Sequence, residues 1–71
     1  MSRPSKLWRI VLPSTDGPVH RPYPSEAATR RAVEAEKTST TANCITVEKR
    51  ADGHWGEWLR WVRTDEGWIA Q

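Results

Sequence analysis

Hydrophobic and polar residues alternate in several short segments, a pattern typical of strands in a sheet with one buried face. Trp8, Ile10 and Leu12 fall on one side of the first such segment, and Ile45 and Val47 are expected to point inward from the second. The segments predicted as strands on this basis are residues 6–12, 44–50, 54–63 and 68–70.

Turn residues separate these segments. Asp16-Gly17 follows the first strand, and Asp52-Gly53 predicts a hairpin between the second and third alternating segments. Residues 19–23 predict a short returning strand. Because Pro22 cannot donate a ladder hydrogen bond, this segment is expected to be an edge strand or an extended loop.

One segment has helical character. Residues 27–37 consist mainly of strong helix formers, and Ser25 is placed to cap the free amides of the first turn. Ala28, Ala32 and Ala35 share one stripe, which we expect to face the sheet.

The elements together predict a small α+β domain. We expect an antiparallel sheet of three to five strands with one α-helix packed on one face, in the order β-(β)-α-β-β-(β). The whole chain, residues 1–71, is predicted to form this single domain, with residues 1–5 flexible.

The segment 54–63 contains three of the five tryptophans of the chain. In a regular strand, Trp55 and Trp61 would share one face with Leu59, and Trp58 would share the other with Arg60 and Val62. Large apolar side chains would then lie on both faces. The pattern therefore predicts that one face packs the core and that the other contacts a partner.

Cysteine and histidine content limits the chemistry available to the chain. Cys44 is the single cysteine, so no internal disulfide forms, and the free thiol suits a reducing compartment. There is no CxxC pair or His/Cys cluster, and we expect no metal and no cofactor. No apolar segment reaches the roughly 20 residues that span a bilayer, and the N-terminus does not resemble a signal peptide. We therefore expect a cytoplasmic protein without membrane contact.

The candidate nucleophiles do not form a catalytic motif. Cys44 begins an apolar strand, where a buried thiol is the common outcome, and neither His20 nor His54 is arranged in sequence as its base. Asp65-Glu66 lies in a turn, where solvated carboxylates are expected. The sequence therefore predicts no enzyme and no small-molecule substrate.

The tryptophan-rich segment leaves three interpretations open. Arg60 could cover Trp58 through a cation–π contact, or a bulge could move residues between faces. Alternatively, Trp55, Trp58, Arg60 and Val62 form a protein-binding surface, since tryptophan and arginine are enriched in binding hot spots. The third interpretation is stacking of nucleic-acid bases on exposed tryptophan. We take protein binding, to a partner or as a homodimer, as the main hypothesis.

Nucleic-acid binding is the alternative hypothesis, and its basic residues lie near the N-terminus. The net charge is only +2, but residues 1–24 hold four basic residues against one acidic residue. The candidate phosphate-binding residues are Arg3, Lys6, Arg9 and Arg21.

Two resemblances bear on these hypotheses. Within residues 7–35, the aromatic strand 8–12, the Asp16-Gly17 turn and the alanine-containing helix start at 23–28 resemble the strand–turn–strand–helix of AP2-like arm-binding domains of phage integrases. That resemblance implies DNA contact through the sheet. The whole chain also resembles small proteins of actinobacteria and their phages, which implies an accessory protein that binds a host factor.

Overall fold

The computed structural model describes residues 7–71. It contains one helix and five strands, which confirms the predicted fold class. The elements in chain order are β1 (Trp8–Leu12), β2 (Val19–Tyr23), α1 (Glu26–Ser39), β3 (Cys44–Ala51), β4 (His54–Thr64) and β5 (Gly67–Ala70). Arg3, Lys6 and the segment 1–5, for which flexibility was predicted, lie outside the described residues.

All five strands form one antiparallel sheet in the order β2-β1-β3-β4-β5. Helix α1 joins the β1–β2 hairpin to the β3–β4–β5 meander. The segment Val19–Tyr23 is an edge strand, as the prolines predicted.

The turns are built as their residues predicted. Asp52 and Gly53 both have positive φ, 52° and 78°, which is the conformation of a type I′ hairpin turn. Gly17 also has a positive φ, 105°, in the turn between β1 and β2. The backbone twist of a type I′ turn matches that of the strands it joins, so Asp52-Gly53 sets the start of the β3–β4 pairing.

Helix α1 begins at a serine cap, as predicted. The Ser25 hydroxyl accepts a hydrogen bond from the Ala28 amide at 3.1 Å, and Glu26 lies in the first turn, where a negative charge is favoured. Arg30 forms an i,i+4 ion pair with Glu26. The helix continues two residues beyond the predicted segment, to Ser39.

The face of α1 that packs on the sheet differs from the predicted alanine stripe. Thr29 and Val33 are buried and Ala32 packs against the core at the edge of this face, whereas Ala35 is exposed. The buried face is therefore rotated from the stripe by about one residue position, roughly 100° for a helix of 3.6 residues per turn. Thr29 tolerates burial because its hydroxyl donates to the Ser25 carbonyl at 2.7 Å.

The core lies between α1 and one side of the sheet. Ile10, Ile45 and Val47 are almost completely buried, and the register pairs Ile10 with Val47. Trp8 and Leu12 complete the β1 contribution, so the alternation predicted for β1 and β3 is confirmed. Leu59, Trp61 and Trp68 pack against this cluster from β4 and β5 and are partly buried.

Candidate protein-interaction surface

The sheet has two unlike sides. We call the side packed against α1 the helix side. The opposite side, which no element among residues 7–71 covers, we call the helix-free face. Residues paired across antiparallel strands share a face, so the register assigns each side chain to one of them.

A β-bulge in β4 decides where the tryptophans lie. Val47 pairs with Leu59, but the next residue, Glu48, pairs with Glu57, so Trp58 is an extra residue without a partner in β3. The bulge reverses the alternation on its N-terminal side. Trp55, which pairs with Arg50, therefore lies on the helix-free face.

The faces that a regular strand predicts for Trp55 and Trp58 are consequently wrong, and the interpretation that a bulge moves residues between faces is confirmed. Trp55 was expected beside Leu59 and Trp61, but it lies on the opposite side of the sheet from them. Trp58 was expected beside Arg60 and Val62, but it lies on the helix side, where its ring meets Trp8 edge to face at a centroid distance of 4.9 Å. Leu59, Trp61, Arg60 and Val62 keep their predicted faces.

The cation that covers Trp58 comes from the helix. The Arg30 guanidinium carbon lies 5.1 Å from the centre of the Trp58 ring. Arg60, the predicted cover, instead donates to Glu57 at 2.7 Å. Trp58 is nevertheless 41% exposed, because α1 packs over β1 to β3 and reaches β4 only with its flank.

Every tryptophan ring of the chain has a cation over it, at 3.3 to 5.2 Å from the ring centre. Such contacts contribute about 0.5–1 kcal/mol at exposed sites. Each cation also covers part of the apolar face of its ring, so the indole can lie near the surface with less apolar area in contact with water. The pairs are Lys49 over Trp8, Arg9 over Trp55, Arg30 over Trp58, Lys37 over Trp61 and Arg63 over Trp68.

The helix-free face is apolar at one end. Cys44 pairs with Val62, and Val62 pairs with Ile69, so the three side chains form a row across β3, β4 and β5. We call this row the apolar row. Cys44 and Val62 are half-buried by their neighbours, and Ile69 is 47% exposed. Val11, on β1, adds a further half-buried apolar side chain to the same face.

The other end of the helix-free face is charged and aromatic. Arg9 donates to Glu48 at 2.5 Å while its guanidinium carbon lies 4.2 Å from the centre of the Trp55 ring. Glu57 and Arg60 form a second ion pair on this face. The two ion pairs are neutral within the chain, and Arg50, which pairs with Trp55 in register, adds a positive charge that has no carboxylate partner among residues 7–71.

The structure separates the two candidate nucleic-acid-binding residues that it describes. Arg9 lies on the helix-free face, whereas Arg21 pairs with the core residue Ile10 in register and therefore lies on the helix side. Each has a carboxylate partner, Glu48 for Arg9 and Glu36 for Arg21. The two arginines do not form one basic patch.

A cleft on the helix side lies between the flank of α1 and β4. It has a volume of about 220 Å³, and it is lined by Val33, Val47, Trp58, Leu59, Trp61 and the neighbouring helix residues. Pockets for drug-sized ligands usually span ≈ 300–1,000 Å³, so this cleft is smaller than such a site. The Trp61 indole N–H is buried without a hydrogen-bond partner among the described residues.

The described residues present no clustered metal ligands. No group of three or more His, Cys, Asp or Glu side chains among residues 7–71 is arranged to hold a metal ion. Within the same residues, no helix has the length and apolar character needed to cross a membrane. Cys44 carries a free thiol on the helix-free face, next to Val62.

Comparison with models of known protein families, with curated protein sequences and with solved structures found no match. The resemblances to integrase arm-binding domains and to small phage proteins therefore stay predictions from sequence.

Proposed function

We propose that the chain is a non-enzymatic interaction module that binds a protein partner through the helix-free face. The observation that carries this proposal is the apolar row Cys44, Val62 and Ile69, which lies on a side of the sheet that no element among residues 7–71 covers. A solvent-facing sheet surface is normally polar, and contiguous exposed apolar patches mark contact sites.

The make-up of the face also supports protein binding. The apolar row supplies a centre whose burial is favourable, and Trp55, Arg9 and Arg60 on the same face belong to the residue types enriched in binding hot spots. Since Arg60 and Glu57 are both about half exposed, their ion pair can rearrange at low cost to meet polar groups of a partner.

The protein-binding set predicted from sequence changes in composition under this proposal. Trp55, Arg60 and Val62 remain, and Cys44 and Ile69 join them because the register places them in the same row. Trp58 lies on the helix side and is not part of the proposed surface. The resemblance to small phage proteins favours a host factor as the partner.

Nucleic-acid binding stays an untested alternative, and the positions of the two candidate arginines among residues 7–71 do not favour it. Arg9 and Arg21 lie on opposite sides of the sheet and each is paired with a carboxylate. A phosphate would share each arginine with a carboxylate that already compensates its charge. A fluorescence-anisotropy titration with mixed DNA and RNA at two salt concentrations tests this alternative, because phosphate contacts weaken steeply with salt.

The proposal is tested by quantitative affinity capture from extracts of the cells that make the protein. The baits are wild type and Val62→Asp, with Ala27→Asp as a control that adds the same charge at an exposed position in the first turn of α1. We expect a protein whose recovery falls at least tenfold with Val62→Asp and is unchanged with Ala27→Asp. Circular dichroism confirms that each bait is folded.

A further variant separates the two sides of the sheet. Trp58→Ala removes the exposed indole on the helix side and leaves the apolar row intact. The proposal requires the same protein to be recovered with Trp58→Ala as with wild type. Equal recovery by wild type and Val62→Asp of every captured protein would contradict it.

A further inference from the structure

The two edges of the sheet differ in their protection against pairing. Strand β2, at one edge, contains Pro22 and is preceded by Pro18 and followed by Pro24. It also carries Arg21, whose ion pair with Glu36 ties the strand to α1. Proline and charge on an edge strand are the usual features that block pairing with another chain.

Strand β5, at the other edge, has none of these features. Its sequence is Gly-Trp-Ile-Ala, without proline or charge, and no strand among residues 7–71 pairs with its outer side. An apolar edge strand of this kind is a template for another strand.

The register shows which backbone groups of β5 point outward. The Gln71 amide donates to the Arg60 carbonyl at 2.8 Å, so residues 71 and 60 form a hydrogen-bonded pair. Hydrogen-bonded and non-hydrogen-bonded pairs alternate along an antiparallel ladder. Ile69 is therefore also bonded to Val62, while Trp68 and Ala70 direct their N–H and C=O groups away from the sheet.

We infer that two copies of the chain pair through β5 across a two-fold axis and form a homodimer with a continuous ten-stranded sheet. This inference rests on the edge strand and is independent of the function proposed for the helix-free face. With Trp68 opposite Ala70 of the second copy, the outward groups of both residues are satisfied in both copies. That register also places the large Trp68 side chain beside the small Ala70 side chain on the helix side.

The same register joins the two apolar rows. Ile69 lies at the axis as a non-hydrogen-bonded pair with Ile69 of the second copy, the pair type with the shorter Cα separation, about 4.5 Å. The row Cys44, Val62 and Ile69 then continues into the same row of the other copy. No charged residue of β5 opposes a like charge, since the strand carries none.

The difference between the two edges limits the assembly to two copies. A two-fold contact uses the same surface on both copies, so pairing through β5 consumes that edge in each of them. The edges that remain are the two β2 strands, which carry proline. The structure therefore points to a dimer and not to a growing fibre.

Analytical ultracentrifugation of the full chain, from low micromolar to millimolar concentration, tests the inference. We expect a reversible monomer–dimer equilibrium for wild type. Ala70→Pro removes one outward N–H but leaves the Gln71–Arg60 and Ile69–Val62 bonds in place, so it should weaken the dimer at least tenfold. Ala70→Ser, which keeps the N–H, is the matched control and should dimerise as wild type does.

A charge-swap pair tests the two-fold position of Ile69 and guards against misfolding of a single variant. Ile69→Lys and Ile69→Glu should each be monomeric alone, because each places two like charges at the axis. An equimolar mixture should recover a dimer that contains one copy of each. A wild type that stays monomeric at every concentration, or a dimer that survives Ala70→Pro and both charged variants, would overturn the inference.

Discussion

The two sides of the same sheet use their tryptophans differently. On the helix side, Trp8 belongs to the core, and Trp61 and Trp68 pack against it. Trp58 contacts the Trp8 ring edge to face. The helix-free face has only Trp55, which lies against Arg9 at the charged end of the surface. Under the proposed function, aromatic content alone does not locate the binding surface. The apolar row lies on the side with fewer aromatic residues.

The largest expected difference between the sides concerns stability. Ile45→Ala removes a fully buried side chain and should lower the free energy of unfolding by about 2–5 kcal/mol. Val62→Ala, on the helix-free face, should cost less than about 1 kcal/mol, since the valine is only half-buried in the monomer. Urea denaturation monitored by circular dichroism measures both values, and equal losses would show that the helix-free face is packed as a core.

Single-residue deletions test the bulge in β4, which determines the side of the sheet on which each residue of that strand lies. Deleting Trp58 removes the extra residue and leaves a regular ladder with every other residue on its present face. Deleting Arg60 would also remove the extra residue, but Trp58 would then pair with Val47 and Leu59 would move from the helix side to the helix-free face. We therefore expect amide spectra with native-like dispersion for the Trp58 deletion and a lower stability for the Arg60 deletion, because Leu59 would leave the core. The reverse result would place the irregularity elsewhere.

Double-mutant cycles test the position of Trp58 on the helix side, and the coupling free energies expected are smaller than the effects above. Arg30 and Trp58 should couple by about 0.5–1 kcal/mol, because the guanidinium lies over the ring. Arg60 and Trp58 should be additive within about 0.3–0.5 kcal/mol, because they lie on opposite sides of the sheet. Alanine variants at the three positions provide both cycles. Coupling of Trp58 to Arg60 and not to Arg30 would show that β4 is a regular strand with both side chains on the same face.

The smallest expected effect is on nucleic-acid binding. Arg9→Gln should leave the low-salt anisotropy titration with mixed DNA and RNA unchanged, since Arg9 is held by Glu48 and Trp55. Arg21→Gln should be equally silent because of Glu36. A loss of salt-dependent binding in either variant would instead support the nucleic-acid hypothesis.

Much of the fold could be predicted because local chemistry determines it. The alternation of Trp8, Ile10 and Leu12 identifies a strand with one buried face, and Ser25 marks the start of the helix. Asp52-Gly53 has the residues that a two-residue hairpin turn requires. Each of these depends on a few neighbouring residues, so the sequence alone is sufficient.

The faces of β4 could not be predicted because they depend on pairing with β3. Trp55, Trp58 and Trp61 are spaced three residues apart, a spacing that places successive residues on alternate faces of a regular strand. The bulge brings Trp58 and Trp61 to one side. The odd spacing of large apolar residues was the available sign of an irregularity, but it did not show which residue is extra.

The orientation of α1 was also beyond local reasoning. The alanine stripe and the Thr29–Val33 face are adjacent on the helix, and both are suitable for packing on a sheet. What selects the second is the fit of Val33 into the core and the hydrogen bond that satisfies Thr29. Both are properties of the assembled structure.

The central claim is that Val62 and Ile69 lie on an uncovered face while Val33, Ile45 and Val47 are covered. The most direct measurement is the relaxation that a soluble paramagnetic agent causes in the methyl resonances of the monomer. We predict strong relaxation at Val62 and Ile69 and little at Val33, Ile45 and Val47. Methyl groups of Val62 and Ile69 as protected as those of Ile45 would contradict the account.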